Sequence, residues 1–328
     1  MKILMPIIVL CTLYSCQSDN SLSKDTEVIK RRHFNIIIVP DLSNRLKAAG
    51  LIKDDAFIVQ QFVSLIYPEL ITDDSKIYQE DVFRLDFINK LHMSKYRSET
   101  FSIDLARFKK EQDKRNKYLG IHEHSSAFQK DTAAFVSNLR NLIRGVKAER
   151  TYGSDIYGYL ENLNDILIDT TTQDIYDAET KELLHNYHTN IIVLLTDGYI
   201  ETSGTNDPHR SLSQTKIESF RKAYMLHGNN MALDSFLEQN RGVYAINPVR
   251  NGLLPYCRIL VLQLCDRGQG LGANKHESLP DLKIIELLWK DWLIHSGIKR
   301  DYIGLYNCAA TSDAQSTKAI FRKFLLKK

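Results

Sequence analysis

Phe34-Asn35-Ile36-Ile37-Ile38-Val39, closed by Pro40, is the stretch on which the fold turns. A strand with one wet face alternates apolar and polar residues. An unbroken, largely β-branched run instead means a strand covered on both faces, the situation of a parallel sheet. Two further runs repeat the pattern: Ile191-Ile192-Val193-Leu194-Leu195, stopped at Asp197-Gly198, and Ile259-Leu260-Val261-Leu262-Gln263-Leu264. Around them the apolar spacing turns helical. Asp55 to Leu70 carries Phe57, Ile58, Phe62, Leu65 and Ile66 at helical intervals; Ser125 to Arg144 carries Phe128, Phe135, Leu139, Leu142 and Ile143; and 155–167, 280–295 and 313–326 read the same way. Val82 to Ile88 alternates as a strand, with 100–105 as its antiparallel edge partner, and 302–306 is a short last strand. Strands alternating with helices predict an α/β fold, with a doubly wound, mostly parallel central sheet, helices on both faces and one antiparallel edge strand.

With 328 residues, 43% hydrophobic and 25% charged, the chain has the composition of a globular protein with a core of its own. No repeat, low-complexity block or linker divides 31–328, which reads as one domain. Its rhythm is interrupted by an insertion at about 198–256, where helical stretches mix with Gly228-Asn229-Asn230 and Asn247-Pro248. A net charge of +3, from 43 basic and 40 acidic residues, sets up no single-sign field and argues against nucleic acid as a partner. The densest basic stretch, Arg107 to Lys117, includes Glu111 and Asp113 and lacks interleaved aromatic residues, so it reads as a solvated helix face. His122 with His124, and His185 with His188, lack neighbouring cysteines and read as surface histidines.

The N-terminus reads as a targeting segment. Lys2 precedes the apolar run Ile3 to Tyr14, too short to span a bilayer, and polar residues follow from Gln17. Leu13-Tyr14-Ser15-Cys16 resembles the bacterial lipobox, which implies a signal peptide over 1–15, lipid modification of Cys16 and a polar tether over 16–30. Simple cleavage and an uncleaved anchor are the alternatives. The lipobox reading implies a protein of the bacterial cell envelope, held to a membrane only through its lipid anchor.

In an open doubly wound sheet, ligands bind beyond the carboxyl ends of the strands where strand order reverses. Here those ends carry Asp41-Leu42-Ser43-Asn44-Arg45 and Thr196-Asp197-Gly198, with Gly153-Ser154-Asp155 leading into a helix between them. The first segment resembles the DxSxS motif of von Willebrand factor A domains, the second their strand-ending Asp-Gly, and the third their Gly-Thr-Asn/Asp segment. The resemblance covers roughly 33–326. It implies a metal-ion-dependent adhesion site with Asp41, Ser43, Ser154 and Asp197 as ligands, directly or through water, to an ion such as Mg²⁺. Hard oxygen donors suit that ion. Arg45 departs from the motif, where a second serine is the rule. It either pairs with Asp41 or Asp197 in place of a metal, or points outward; with Asn44 it is the candidate ligand-binding pair. A plainer alternative is that both aspartates merely cap loops.

The resemblance implies a binding module, not an enzyme, that recognises a protein or surface polymer. The alternative is a metal-dependent hydrolase using Asp41 and Asp197, against which stands the lack of a nucleophile elbow or phosphate-cradling glycine loop. In the strand order that the resemblance implies, Cys265 and Cys308 end neighbouring strands and are candidates for a disulfide, with Cys257 at the far end. Small buried thiols are the competing reading.

If the lipobox reading holds, Cys16→Ala releases the protein from the membrane fraction and changes its mass by the lost acyl groups. A variant still membrane-bound at unchanged mass would refute it.

Overall fold

The computed structural model describes residues 27–43, 55–71, 79–88, 101–108, 111–120, 126–148, 154–168, 173–177, 181–201, 207–228, 230–267 and 279–326. Residues 1–26, on which the expected signal peptide, Cys16 and most of the expected tether fall, lie outside the described residues, as do Asn44 and Arg45. In chain order the elements are β1 (Glu27–Pro40), α1 (Asp55–Leu65), β2 (Val82–Leu85), β3 (Ser102–Asp104), α2 (Gln112–Leu119), α3 (Ala127–Ala148), α4 (Ile156–Glu161) and β4 (Gln173–Asp177). They continue with β5 (Glu182–Leu195), α5 (Gln214–Ala223), α6 (Leu233–Gln239), α7 (Arg241–Tyr244), β6 (Cys257–Leu264), α8 (Asp281–His295), β7 (Ile303–Asn307) and α9 (Ala314–Leu325).

The sheet runs β3-β2-β1-β5-β6-β7, with β4 beside the early part of β5. From β1 the chain winds outward through β2 and β3, then returns to the other side of β1 and winds through β5, β6 and β7. Order therefore reverses between β1 and β5, and the fold is the doubly wound α/β architecture the sequence predicts. One detail needs correction: β4 as well as β3 is antiparallel, so the sheet has two such strands, not one.

Alternate residues of the central strands enter opposite cores. Ile36, Ile38, Ile191, Val193, Leu195, Leu260 and Leu262 pack with α1, α3 and α9. Ile37, Val39, Ile192, Leu194, Ile259 and Val261 pack with α4 and α8, whose Trp289 and Trp292 are fully buried. Both faces are thus dry, which is why these strands read as unbroken apolar runs.

Four sequence readings are revised. First, β1 begins at Glu27, inside the stretch read as tether, and β5 at Glu182, well before its apolar run. Second, the insertion is part of a layer: Tyr199, Ile200, Leu212, Phe220 and Phe236 bury against α4 and α8. Third, the basic stretch is only partly solvated. Arg115 is buried and donates to Gln79, and the Arg107 guanidinium lies 4.5 Å from the centre of the Tyr118 ring. His188 is likewise not a surface residue: its ring lies 5.3 Å from that of His33 and its Nε2 3.3 Å from Glu80.

Within the insertion, Lys216 on α5 is buried with its ammonium donating to the carbonyls of Pro208 (2.6 Å) and Ser211 (3.2 Å). Burial pushes this lysine down from 10.5 to about 8, with the charge of Asp207 opposing. Between those values the unfolded chain holds a proton that the folded one has released. The Lys216 contribution to stability therefore rises with pH through this window. Chemical denaturation of the native protein and Lys216→Met at pH 7.5, 8.5 and 9.5 should show the native protein gaining roughly 1–3 kcal/mol on the variant. Parallel pH profiles would contradict it.

Candidate functional site

Pro40 of β1 pairs with Leu195 of β5, so Asp41 and Thr196 emerge side by side at the point where strand order reverses. The Asp41 amide donates to the Leu195 carbonyl at 2.9 Å and the Thr196 hydroxyl to Asp41 Oδ2 at 2.9 Å. Asp41 Oδ1 accepts the Ser43 amide at 2.9 Å, closing the turn that buries Ser43. Asp86, just past β2, continues the row: its amide donates to Ile38 and its carboxylate accepts the Tyr159 hydroxyl at 2.9 Å. Three neighbouring parallel strands thus end in aspartates 86, 41 and 197.

Asp197 is 1% exposed. Its Oδ1 accepts the Tyr199 amide at 3.2 Å and its Oδ2 accepts Nε of Arg267 at 2.7 Å. Gly198 lets the chain turn here. It has φ +95°, and a Cβ would come within 2.7 Å of Ile285 and Leu264, while its carbonyl accepts the Trp289 indole at 2.7 Å. The Asp-Gly signal therefore marks a turn pinned to α8.

Arg267 was not singled out from the sequence. It follows β6, and its second nitrogen donates to Glu201 at 2.7 Å while its guanidinium lies 4.2 Å from the Tyr199 ring centre. Burial would push this guanidinium down, but the charge of Asp197 and the hydrogen bonds it donates to Asp197 and Glu201 hold it above its ordinary value. At Gln263 (φ 73°) the β6–β7 register shifts, and such a bulge re-aims the residues beyond it. The signal was available: the switch-point rule, applied to a third strand end, points at Asp266 and Arg267.

Ser154 joins the same network through its backbone, whose carbonyl accepts the Glu201 amide at 3.3 Å. Its buried hydroxyl has no hydrogen-bond partner among the described residues. The next residue, Asp155, caps α4 by accepting the Gly158 amide at 2.9 Å. Asp41, Ser43, Ser154 and Asp197 thus lie on one connected path: Ser43 to Asp41 to Thr196, then Asp197 to Arg267 to Glu201 to Ser154.

A divalent cation fits this arrangement poorly. The donors are of the right chemistry, but Arg267 already places a positive charge on Asp197 Oδ2, and a second cation there meets repulsion as well as competition. Among the described residues no group of three or more His, Cys, Asp or Glu side chains is placed to hold a metal. Arg267 is the cation seen on Asp197; Arg45, the cation the sequence pointed to, lies outside the described residues.

Leu264 pairs with Asn307, so Cys265 and Cys308 do follow at neighbouring strand ends, yet no disulfide joins them. The Cys265 amide instead turns toward β5 and donates to the Asp197 carbonyl at 3.1 Å. Cys257, at the far end of β6, is buried, which pushes its thiol up to about 12.

Arg267→Gln removes the fixed charge and keeps a hydrogen-bonding group. It should cost about 1–2 kcal/mol of stability, the pair being a third exposed on the arginine side. In the same variant Mg²⁺ should raise the melting temperature, an effect absent from the native protein. Equal Mg²⁺ responses in the two proteins would refute the competition.

No protein-family model matches the chain, and no curated protein matches it, so the functional reading rests on the site itself.

Proposed function

We propose that this chain is an exported lipoprotein, tethered to a bacterial envelope membrane through Cys16, whose α/β domain recognises a protein or surface polymer at the carboxyl edge of its sheet. The observation that carries the reading is the connected path from Ser43 to Ser154 across the switch point. It is polar, held by ion pairs and hydrogen bonds, and sits where doubly wound sheets bind ligands. Arg267 and Glu201, 32% and 42% exposed, are the charged groups of that path a partner meets first. Recognition here proceeds through these fixed charges without a metal step, since Arg267 serves as the cation.

A hydrolase built on Asp41 and Asp197 is the weaker reading. General-base chemistry needs a carboxylate with an open oxygen facing substrate, and both aspartates have each oxygen engaged, Asp41 by Ser43 and Thr196, Asp197 by Tyr199 and Arg267.

The experiment is capture of binding partners from envelope extracts by the full chain and by Arg267→Glu, each with Mg²⁺ and with a chelator. A specific partner should be retained by the native chain under both conditions and lost, by at least about tenfold, with Arg267→Glu, which sets like charges against Asp197 and Glu201. Capture that follows Mg²⁺ and ignores the substitution would overturn the metal-independent reading.

A further inference from the structure

The opposite, amino-terminal end of the sheet carries a second polar site. On the side away from β1, β5 pairs with β4 as far as Asn186 and with β6 from Asn190. At the residues between, 187–189, opens a cavity of about 660 Å³. Strand periodicity decides what faces it. Arg32 of β1 pairs with Tyr187 and Arg258 of β6 with Ile191, so Arg32, Tyr187, Thr189 and Arg258 share one face of the sheet. Lys299 and Tyr302, just ahead of β7, complete the wall.

This wall is cationic. Arg32 donates to the Thr189 hydroxyl at 3.0 Å, and the Arg258 guanidinium and Lys299 ammonium lie 4.8 and 5.4 Å from the Tyr302 ring centre. No aspartate or glutamate lines the cavity among the described residues. Arg258 is 9% exposed, so its charge is set in the wall and not waving in solvent. Burial, and after it the charge of Arg258, lower Arg32 to about 10, with Tyr187, Tyr302 and Asp81 opposing.

We propose that this cavity binds the phosphate group of a small, ring-bearing phosphomonoester. Two guanidiniums and an ammonium match a dianion better than a single carboxylate, and guanidinium forks suit phosphate oxygens. The tyrosines give a flat apolar surface for the ring, and the volume is in the usual range for small-molecule sites. The site is separate from the strand-end path, so its failure leaves the proposed function untouched.

The test is calorimetric titration of the full chain with phenyl phosphate and with inorganic phosphate, at fixed ionic strength and pH 7.5. Saturable one-site binding of phenyl phosphate is expected, weakened at least about tenfold by Arg258→Gln and about three- to tenfold by Lys299→Gln. Lys299 is exposed, so its variant folds and decides the matter if Arg258→Gln does not. Inorganic phosphate binding as tightly as phenyl phosphate would overturn the ring-bearing part of the proposal. Absence of saturable binding, or affinities unchanged in both variants, would overturn the site.

Discussion

The pairing of β1 with β5 is the constraint on which the rest depends. It runs in register from Glu27 opposite Glu182 to Pro40 opposite Leu195, the longest ladder in the sheet. A one-residue slip would send every side chain of either strand into the wrong core, because period two is strict and both cores are dry. A buried polar contact fixes the register further. Asn35 donates to Asn190 Oδ1 at 2.7 Å, and that oxygen also accepts the Ile168 amide at 3.0 Å. An unmatched amide in this setting costs about 1–3 kcal/mol, so alternative registers are disfavoured by polarity as well as by packing.

The strand-end site follows from that register. With Pro40 opposite Leu195, Asp41 meets Thr196 and not Asp197, so Asp41 takes the Thr196 hydroxyl while Arg267 takes the Asp197 carboxylate. Asp197 is then left to face β6, where the bulge at Gln263 and the turn after it deliver Arg267. A carboxylate 1% exposed needs a charge partner, and here the protein supplies one from its own chain. A site arranged in this way is fixed before a partner arrives, which lowers the ordering cost of binding.

The fold was legible where burial is two-sided. Ile36 to Val39, Ile191 to Leu195 and Ile259 to Leu264 announced themselves because both faces are covered, and with them came the doubly wound class. The early half of β5 was not legible, since residues 182–189 are mostly half-buried and mix His185, Asn186 and His188 with leucines. Nor was β4, whose partner lay in that unread half. At the candidate site, Asp41, Ser43 and Asp197 stood out in the sequence because strand-end position is a rule of the fold, and Ser154 through the motif resemblance. Arg267 escaped because it has no motif around it; its role comes from a bulge and from the turn at Gly198, and neither is written in local sequence.

The two ends of the β1–β5 pair differ in electrical character, although the chain as a whole is close to balanced. At the carboxyl end, Asp41, Asp197 and Glu201 stand against Arg267, and the hydroxyl and amide donors around them leave a compact, internally paired surface. At the amino end, Arg32, Arg258 and Lys299 gather around tyrosines. Net charge cannot report this, because it sums over distances at which screening has already separated the two ends: strands β1 and β5, at about 3.3 Å per residue, hold them well beyond a Debye length of about 8 Å. A chain of near-zero net charge can therefore present two electrostatically independent surfaces. The register of one strand pair fixes which residues reach each.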